Sequence, residues 1–188
     1  MGHIRQLSEN LANKIAAGEV VERPASVIKE LTENSIDAKA KSITILVEQG
    51  GTSKMCVIDD GIGMNRADAL LCFSRHATSK IVDENDLFNI TTLGFRGEAI
   101  PSIASISVFT LETNNGEENT KVEYEFGKRK NVGSVAMNRG TKITVERIFQ
   151  NVPARLKYMK SINAEFAAIY SYVERLARSS RNIFYSYT

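Results

Sequence analysis

The sequence predicts an α+β fold, a two-layer sandwich in which a mostly antiparallel mixed sheet carries its helices on one face. Alternating apolar residues over 43–47 and 55–58, on either side of Gly50-Gly51, are typical of a β-hairpin. Apolar residues three and four positions apart over 24–38 and 164–178 are typical of helices. Neither a G-x-x-x-x-G-K-[ST] loop nor a G-x-G-x-x-G turn after a first strand is present, which excludes a doubly wound nucleotide fold.

Length and composition indicate one well-buried domain, since 188 residues with 43% hydrophobic content are short for two. We expect residues 1–188 to form this domain and to be a fragment of a longer protein. There is no long apolar run and no signal-peptide pattern, so a soluble, non-secreted protein is expected. Cys56 and Cys72 lack Cys-x-x-Cys spacing and are expected to be reduced core residues.

The stretch 24–38 predicts a helix that begins at Pro24, where a missing N–H costs nothing. One face of this helix is expected to be buried and consists of Val27, Ile28, Leu31 and Ser35.

A second stripe on the same helix carries three carboxylates and an amide, at Glu30, Glu33, Asn34 and Asp37. Like charges at this spacing repel each other. The cost of this repulsion can be offset in two ways. The acidic face is exposed to solvent, or it belongs to a site that needs a carboxylate and an oxygen ligand one turn apart.

The chain around this helix divides into short segments. Residues 7–21 predict a short helix that Gly18 stops or bends. After the hairpin, residues 59–64 (DDGIGM) predict a tight loop where backbone can approach a ligand closely. Asn65 is expected to cap a helix that runs to about Phe73. The residues expected to point inward from it are Ala67, Leu70 and Leu71.

Residues 74–93 show weak periodicity, which is typical of a lid or binding loop. His76 has no second His at ligand spacing and is expected to be structural or exposed. The glycines of the following LGFRGEA stretch precede a predicted helix with Ile100, Ile103 and Ala104, and free N–H groups there suit phosphate.

The pattern of residues 107–188 predicts four strands, two helices and a last strand. The four strands are expected at 107–112, 121–126, 132–137 and 141–147. The helices are expected from Pro153 and over 164–178, and the last strand at 182–188. The buried face of the second helix is expected to hold Phe166, Ile169, Val173, Leu176 and Ala177.

Charge is unevenly distributed along the chain. Residues 1–127 hold 12 Lys/Arg and 19 Asp/Glu, whereas residues 128–188 hold 12 and 3. The basic portion suits a polyanion such as DNA, but it would equally complement the acidic portion within the fold or belong to an interface. Its candidate residues are Lys128, Arg129, Lys130, Arg155, Lys157 and Lys160.

Four patterns stand in order along the chain: Glu30-x-x-x-Asn34, Asp59-x-Gly61-x-Gly63, Gly94-Phe95-Arg96-Gly97 and Gly140-Thr141. Together they resemble the ATP site of the superfamily of gyrase-type topoisomerases, heat-shock 90 chaperones, histidine kinases and MutL proteins. The stretches LANKIAAGEVVERPASVIKELTENSID, RHATSK, LGFRGEA and NVPARLKY resemble the MutL mismatch-repair family in particular.

This resemblance implies a Bergerat-type ATP-binding sandwich with specific residue roles. Glu30 matches the general base that polarises the attacking water, and Asn34 matches the Mg²⁺ ligand. Asp59 matches the residue that accepts from the exocyclic amine of adenine. Gly61 and Gly63 match positions where backbone closes around the nucleotide.

The resemblance also implies an ATP lid at about 74–97. Its two ends contribute Thr78, Ser79 and Lys80, and Gly94, Phe95, Arg96 and Gly97. A charge on a solvated loop is the alternative for Arg96. Thr141 matches a further hydroxyl near the adenine. Asp60 stands where many relatives have Asn, and it either raises one pKa of the pair or is solvated.

For the whole protein, the resemblance implies Mg²⁺-dependent ATP binding and slow hydrolysis that control homodimerisation in DNA mismatch repair. The implied partners are ATP, a second copy of the protein, a mismatch-recognition protein and DNA at the basic surface. The N-terminal arm, residues 11–21, matches a segment that orders at the dimer interface. The implied location is the bacterial cytoplasm, or the nucleus in a eukaryote. Two alternatives are a nucleotide-gated binding module without significant turnover and a topoisomerase subunit, against which GFRGEA and RHATSK argue.

Overall fold

A computed structural model describes residues 17–18, 21–74, 97–179 and 184–187. Its strands are β1 (Ser42–Glu48), β2 (Lys54–Asp59), β3 (Val108–Asn114), β4 (Asn119–Glu125), β5 (Lys128–Gly133), β6 (Gly140–Glu146) and β7 (Phe184–Tyr187). Its helices are α1 (Pro24–Asp37), α2 (Arg66–Leu71), α3 (Ala99–Ser105), α4 (Pro153–Tyr158) and α5 (Ile162–Ser179).

The strands form one mixed sheet in the order β5-β4-β3-β6-β2-β1-β7. The β7 strand runs parallel to β1, and the other neighbouring pairs are antiparallel. The predicted hairpin is β1 and β2, joined by a 3₁₀ turn at Gln49–Gly51. The α+β class and the mixed, mostly antiparallel sheet are confirmed.

The core lies on the sheet face that the helices cover. The side chains of Ile45, Val57, Ile143, Leu111 and Val122 lie side by side across five strands, and each is buried. The α1 helix adds its apolar face to the same cluster. Burial of this continuous apolar surface is the main stabilising contribution to the two-layer arrangement.

The predicted bounds and buried face of α1 are confirmed. Pro24 occupies its first turn, where the missing N–H removes no helical hydrogen bond. Val27, Ile28, Leu31 and Ser35 are each at most 3% exposed. Since Pro24 also presets the backbone angle that a helix needs, the local sequence alone accounts for where α1 begins.

The helix after Asn65 differs from its prediction. The Asn65 side chain caps it as expected, because Oδ1 accepts the Asp68 N–H at 2.8 Å. The α2 helix nevertheless ends at Leu71, and its buried residue is Ala69. Ala67 and Leu71 are exposed, so their inward placement was wrong. A helix of six residues is too short for periodicity to define which side packs.

The predicted strand at 132–137 was also wrong, because β5 occupies Lys128–Gly133. Phe126 and Gly127, both with positive φ, form a two-residue turn that brings β5 directly against β4. Since β5 is an edge strand, it needs few apolar residues, and its Lys and Arg side chains discourage pairing with another chain. The periodicity of apolar residues therefore could not locate it.

The α5 helix confirms two of its predicted buried residues, Ile169 and Val173. Phe166 is 40% exposed, so its predicted burial was wrong. The inward row instead continues to Glu165, which is 2% exposed and pairs with Arg23 at 2.9 Å. The carboxylate of Glu165 can be buried because it is paired with Arg23, which lies outside α5, just before α1.

Two further predictions have partial outcomes. Ala17 and Gly18 are helical, and the rest of the predicted helix up to residue 20 lies outside the described residues. Cys56 and Cys72 are free thiols, as predicted, and burial raises the pKa of Cys72 to about 12. Within the described ranges, no helix is both long and apolar enough to cross a membrane.

Candidate functional site

The apolar rows of the sheet give way to polar residues at one end of the covered face. Asp59, Thr141, Thr113 and Thr120 lie side by side across β2, β6, β3 and β4. Each is at most 8% exposed. These four side chains form a polar floor beneath the loop that follows β2. Buried polar groups need hydrogen-bond partners, so the floor must be internally paired or ready to bind a ligand.

Asp59 is the most connected residue of the polar floor. Its Oδ1 accepts the N–H groups of Gly61 at 2.9 Å and Thr141 at 3.2 Å. Its Oδ2 accepts the hydroxyl of Ser35 on α1 at 2.7 Å. Burial raises the pKa of Asp59, and these three donors oppose that increase. A carboxylate offers about four acceptor positions, so one remains for a further donor.

Asp60 faces away from the polar floor. It is exposed, and its Oδ1 accepts the N–H groups of Lys41 at 2.7 Å and Ser42 at 2.8 Å. Its slight burial opposes ionisation, but the backbone donors prevail and lower its pKa. Asp60 is therefore mainly solvated, and its charge makes the smallest contribution to the raised pKa of Asp59.

Glycines set the shape of the loop over the floor. Gly63 has φ of 69°, and a Cβ there would overlap the Asn114 carbonyl. Gly140 has φ of 130°, and a Cβ there would overlap the carbonyl of Asp59. A Cβ on Gly61 would lie 2.8 Å from the Ala38 carbonyl. These glycines are required by packing within the protein, whatever else they contact.

Thr113 is a site residue that the sequence analysis missed. Its hydroxyl accepts the N–H of Met64 at 2.9 Å and lies 3.2 Å from the Thr141 hydroxyl. It thereby ties the loop to β6. The available signal was a threonine in the inward series of β3, whose other members are Phe109 and Leu111.

The acidic stripe of α1 is not a solvent-exposed face, so that interpretation was wrong. Glu33 is 9% exposed, and Glu30, Asn34 and Asp37 are partly buried. Lys29 relieves the repulsion, since its Nζ lies 3.6 Å from Glu30 Oε1 and 3.3 Å from Glu33 Oε1. Burial raises the pKa of Glu33, and Lys29 opposes that increase.

The structure brings part of the predicted site together. Asp59, Gly61 and Thr141 are joined directly. The Ser35–Asp59 hydrogen bond places Asn34, its neighbour on α1, at the same end of the sheet. Glu30 precedes Asn34 by one turn. Gly97 lies at a bend before α3, with φ of 61°. The remaining predicted residues lie outside the described ranges: Thr78, Ser79, Lys80, Gly94, Phe95 and Arg96.

The basic C-terminal residues are divided between two places. On β5, Lys130 pairs with Glu125 of β4 at 3.0 Å. On α4, the guanidinium of Arg155 donates to the carbonyls of Gly18 and Val21. Lys130 and Arg155 therefore pair with groups of the fold itself, whereas Lys157 of α4 and Lys160 just after α4 are exposed.

Comparison with known proteins agrees with this architecture. Residues 22–158 match the family model described as "Histidine kinase-, DNA gyrase B-, and HSP90-like ATPase". The chain is 54% identical to the DNA mismatch repair protein MutL of Halalkalibacterium halodurans, over 94% of the chain and 28% of that protein. It is 55% identical to MutL of Bacillus cytotoxicus, over 95% of the chain and 28% of that protein.

Solved structures show the same arrangement. The N-terminal domain of a DNA repair protein superposes with a TM-score of 0.79 at 27% identity, covering 94% of this chain and 51% of that one. The Aquifex aeolicus MutL ATPase domain complexed with ADP superposes with a TM-score of 0.69 at 26% identity, covering 89% and 60%.

The chain spans less than a third of the length of these two curated relatives. The matched region includes α1, the loop after β2 and the polar floor. The chain therefore belongs to the histidine kinase-, DNA gyrase B- and HSP90-like ATPase family, and within it matches the N-terminal ATPase region of MutL proteins.

Proposed function

We propose that this chain binds ATP with Mg²⁺ and hydrolyses it slowly, and that this cycle controls homodimerisation of the full-length protein in DNA mismatch repair. The observation that carries the proposal is Asp59, a buried carboxylate on a polar floor with acceptor capacity to spare. The Aquifex aeolicus relative, described as complexed with ADP, supports an adenine nucleotide at this site. Family resemblance supports the homodimer and a mismatch-recognition partner.

The polar floor suits adenine better than guanine. An ionised Asp59 only accepts hydrogen bonds, so it attracts the exocyclic amine of adenine and repels the O6 of guanine. The Thr141 hydroxyl supplies a second polar group beside it. Gly61 and Gly63 leave the backbone of the loop without side chains at this position. The lid residues are proposed to hold the phosphates: Thr78, Ser79, Lys80, Gly94, Phe95, Arg96 and Gly97.

The donor set fits Mg²⁺ bound jointly by protein and nucleotide. Within the described ranges, no group of three or more His, Cys, Asp or Glu side chains could hold a metal by itself. Mg²⁺ typically takes one or two protein ligands together with phosphates and water. The amide oxygen of Asn34 would supply one ligand without adding negative charge, and the ion would neutralise charge on the phosphates.

Glu30 is proposed as the general base. Its side chain is 26% exposed, so a water molecule can reach it while neighbouring atoms limit its solvation. The carboxylate accepts a proton from that water as the water oxygen forms a bond to the γ-phosphorus. The bond from phosphorus to the bridging oxygen breaks, and ADP leaves with the electron pair.

Calorimetric titration with non-hydrolysable analogues of ATP and GTP tests the binding proposal. We expect the ATP analogue to bind in the presence of Mg²⁺ and to bind at least about tenfold more weakly when EDTA removes the metal. The GTP analogue should bind at least about a hundredfold more weakly than the ATP analogue, because its O6 would face Asp59. Equal affinity for both analogues, or no binding of either, would contradict the proposal.

A DNA-binding role is also proposed, with the contact on α4 instead of β5. Tyr158 is 89% exposed, and Lys157 and Lys160 flank it. A cleft of about 510 Å³ opens beside Tyr158, and its charged lining includes Arg23, Arg155 and Lys160 together with Glu22 and Glu165. Exposed cations near an exposed aromatic ring suit phosphates and unpaired bases.

Salt dependence tests this placement. Replacing Lys157 and Lys160 together with alanine in the full-length protein should make the negative slope of log affinity against log salt shallower by about two, because two phosphate contacts disappear. DNA affinity measured by fluorescence anisotropy across a salt series gives the slope. The matched control replaces Lys128 and Lys130 on β5. A shallower salt slope found only in the β5 variant, or a DNA affinity of the wild type that does not change with salt, contradicts the placement.

A further inference from the structure

The chain just before α1 is held to the rest of the domain at three described points. The Arg155 guanidinium on α4 donates to the Val21 carbonyl at 2.8 Å and to the Gly18 carbonyl at 2.6 Å. Two residues after Val21, Arg23 pairs with the buried Glu165 of α5 at 2.9 Å. These attachments join the segment before α1 to helices more than 130 positions later in the sequence.

Arg155 is built into this position. Its guanidinium lies 5.9 Å from the ring centroid of the buried Phe149. The absence of a side chain on Gly18 allows its approach, since a Cβ there would lie 2.8 Å from Arg155 Nη2. Gly18 is helical, and carbonyls near a helix end lack partners that a cation readily supplies.

These attachments restrain α1 along its axis, a direction in which its apolar contacts restrain it only weakly. Burial of Val27, Ile28 and Leu31 opposes rotation of the helix away from the core. Apolar contacts are non-directional and resist a small axial shift less than directional hydrogen bonds do. Val21 precedes the first residue of α1 by three positions, so the Arg155 hydrogen bonds limit movement of α1 along its axis.

We propose that Arg155 is a positioning residue for Glu30, acting through the Gly18 and Val21 carbonyls and the axial position of α1. This inference rests on the proposed ATP hydrolysis. Arg155 acts at the N-terminal end of α1, whereas Asp59 contacts Ser35 near the other end. A shift of α1 moves the whole helix, but the hydrolysis rate depends more steeply than binding on the placement of a reacting group, so loss of Arg155 should lower the hydrolysis rate more than nucleotide affinity.

Two variants of the full-length protein remove the same contact from opposite sides. Arg155→Met deletes the guanidinium, and Gly18→Ala displaces it with a methyl group that a helical backbone accepts. Both should lower kcat for ATP about tenfold while nucleotide affinity changes less than about twofold, because misplacement of a reacting group affects the rate more than binding. Arg155→Lys retains the charge and should recover part of the loss. Arg178→Met removes an exposed arginine of α5 and should match the wild type.

Hydrogen exchange of the nucleotide-free protein supplies a readout that does not depend on catalysis. The Val21 N–H donates to the Ala17 carbonyl at 2.8 Å, and its exchange should accelerate about tenfold in Arg155→Met. Unchanged exchange, or unchanged kcat in either Arg155→Met or Gly18→Ala, overturns this inference. Either of these results leaves the proposed function intact, provided that the wild type hydrolyses ATP and Glu30→Ala does not. Absence of hydrolysis in the wild type overturns both.

Discussion

Replacing Glu30 with alanine in the full-length protein is expected to lower ATP hydrolysis about a thousandfold and to leave nucleotide affinity within about twofold of the wild type. The carboxylate is proposed to act on the attacking water, so its loss removes an interaction made during the reaction and not one made in binding. Steady-state phosphate release and calorimetry measure the two quantities separately.

The matched control for Glu30 is Glu48→Ala, which removes an exposed carboxylate at the end of β1. We expect Glu48→Ala to hydrolyse ATP at the wild-type rate. Hydrolysis that survives Glu30→Ala would show that another group is the base. A wild type that binds ATP without any turnover would instead support the alternative of a nucleotide-gated binding module.

Asp59→Asn is expected to lower affinity for the ATP analogue about a hundredfold. An amide presents one acceptor oxygen and one NH₂ donor, so it cannot receive the three donors that Asp59 holds and also accept from adenine. A hydrogen bond to a charged group contributes about 1.5–3 kcal/mol, and two to three kcal/mol correspond to roughly a hundredfold in affinity. Calorimetric titration measures the change.

The neighbouring Asp60→Asn is the control for Asp59. It makes the same chemical change on an exposed carboxylate that bonds Lys41 and Ser42 and faces away from the polar floor. Its affinity for the ATP analogue should equal that of the wild type. Thermal unfolding of both variants separates lost binding from lost folding. Unchanged affinity in a folded Asp59→Asn variant would contradict the role proposed for this carboxylate.

Much of the fold could be predicted because its signals are local. The bounds and buried face of α1 follow from Pro24 and the spacing of a few apolar residues. The β1–β2 hairpin follows from alternation around two glycines. Local signals failed where an element was short or peripheral. The α2 helix has too few turns to show a periodic face, and β5 lies at the sheet edge, where apolar alternation is not required.

The sequence by itself determined the fold class, the family and the candidate residues Glu30, Asn34 and Asp59, since periodicity and ordered motifs depend only on residue order. The tertiary structure alone decided that Asp60 faces away, that Glu33 is buried and that Thr113 joins the polar floor. It also decided which groups Lys130 and Arg155 pair with, because such contacts connect distant positions. Ser35 and Asp59 are 24 residues apart, and Arg155 and Gly18 are 137 apart. No local pattern records which of many distant donors and acceptors will meet.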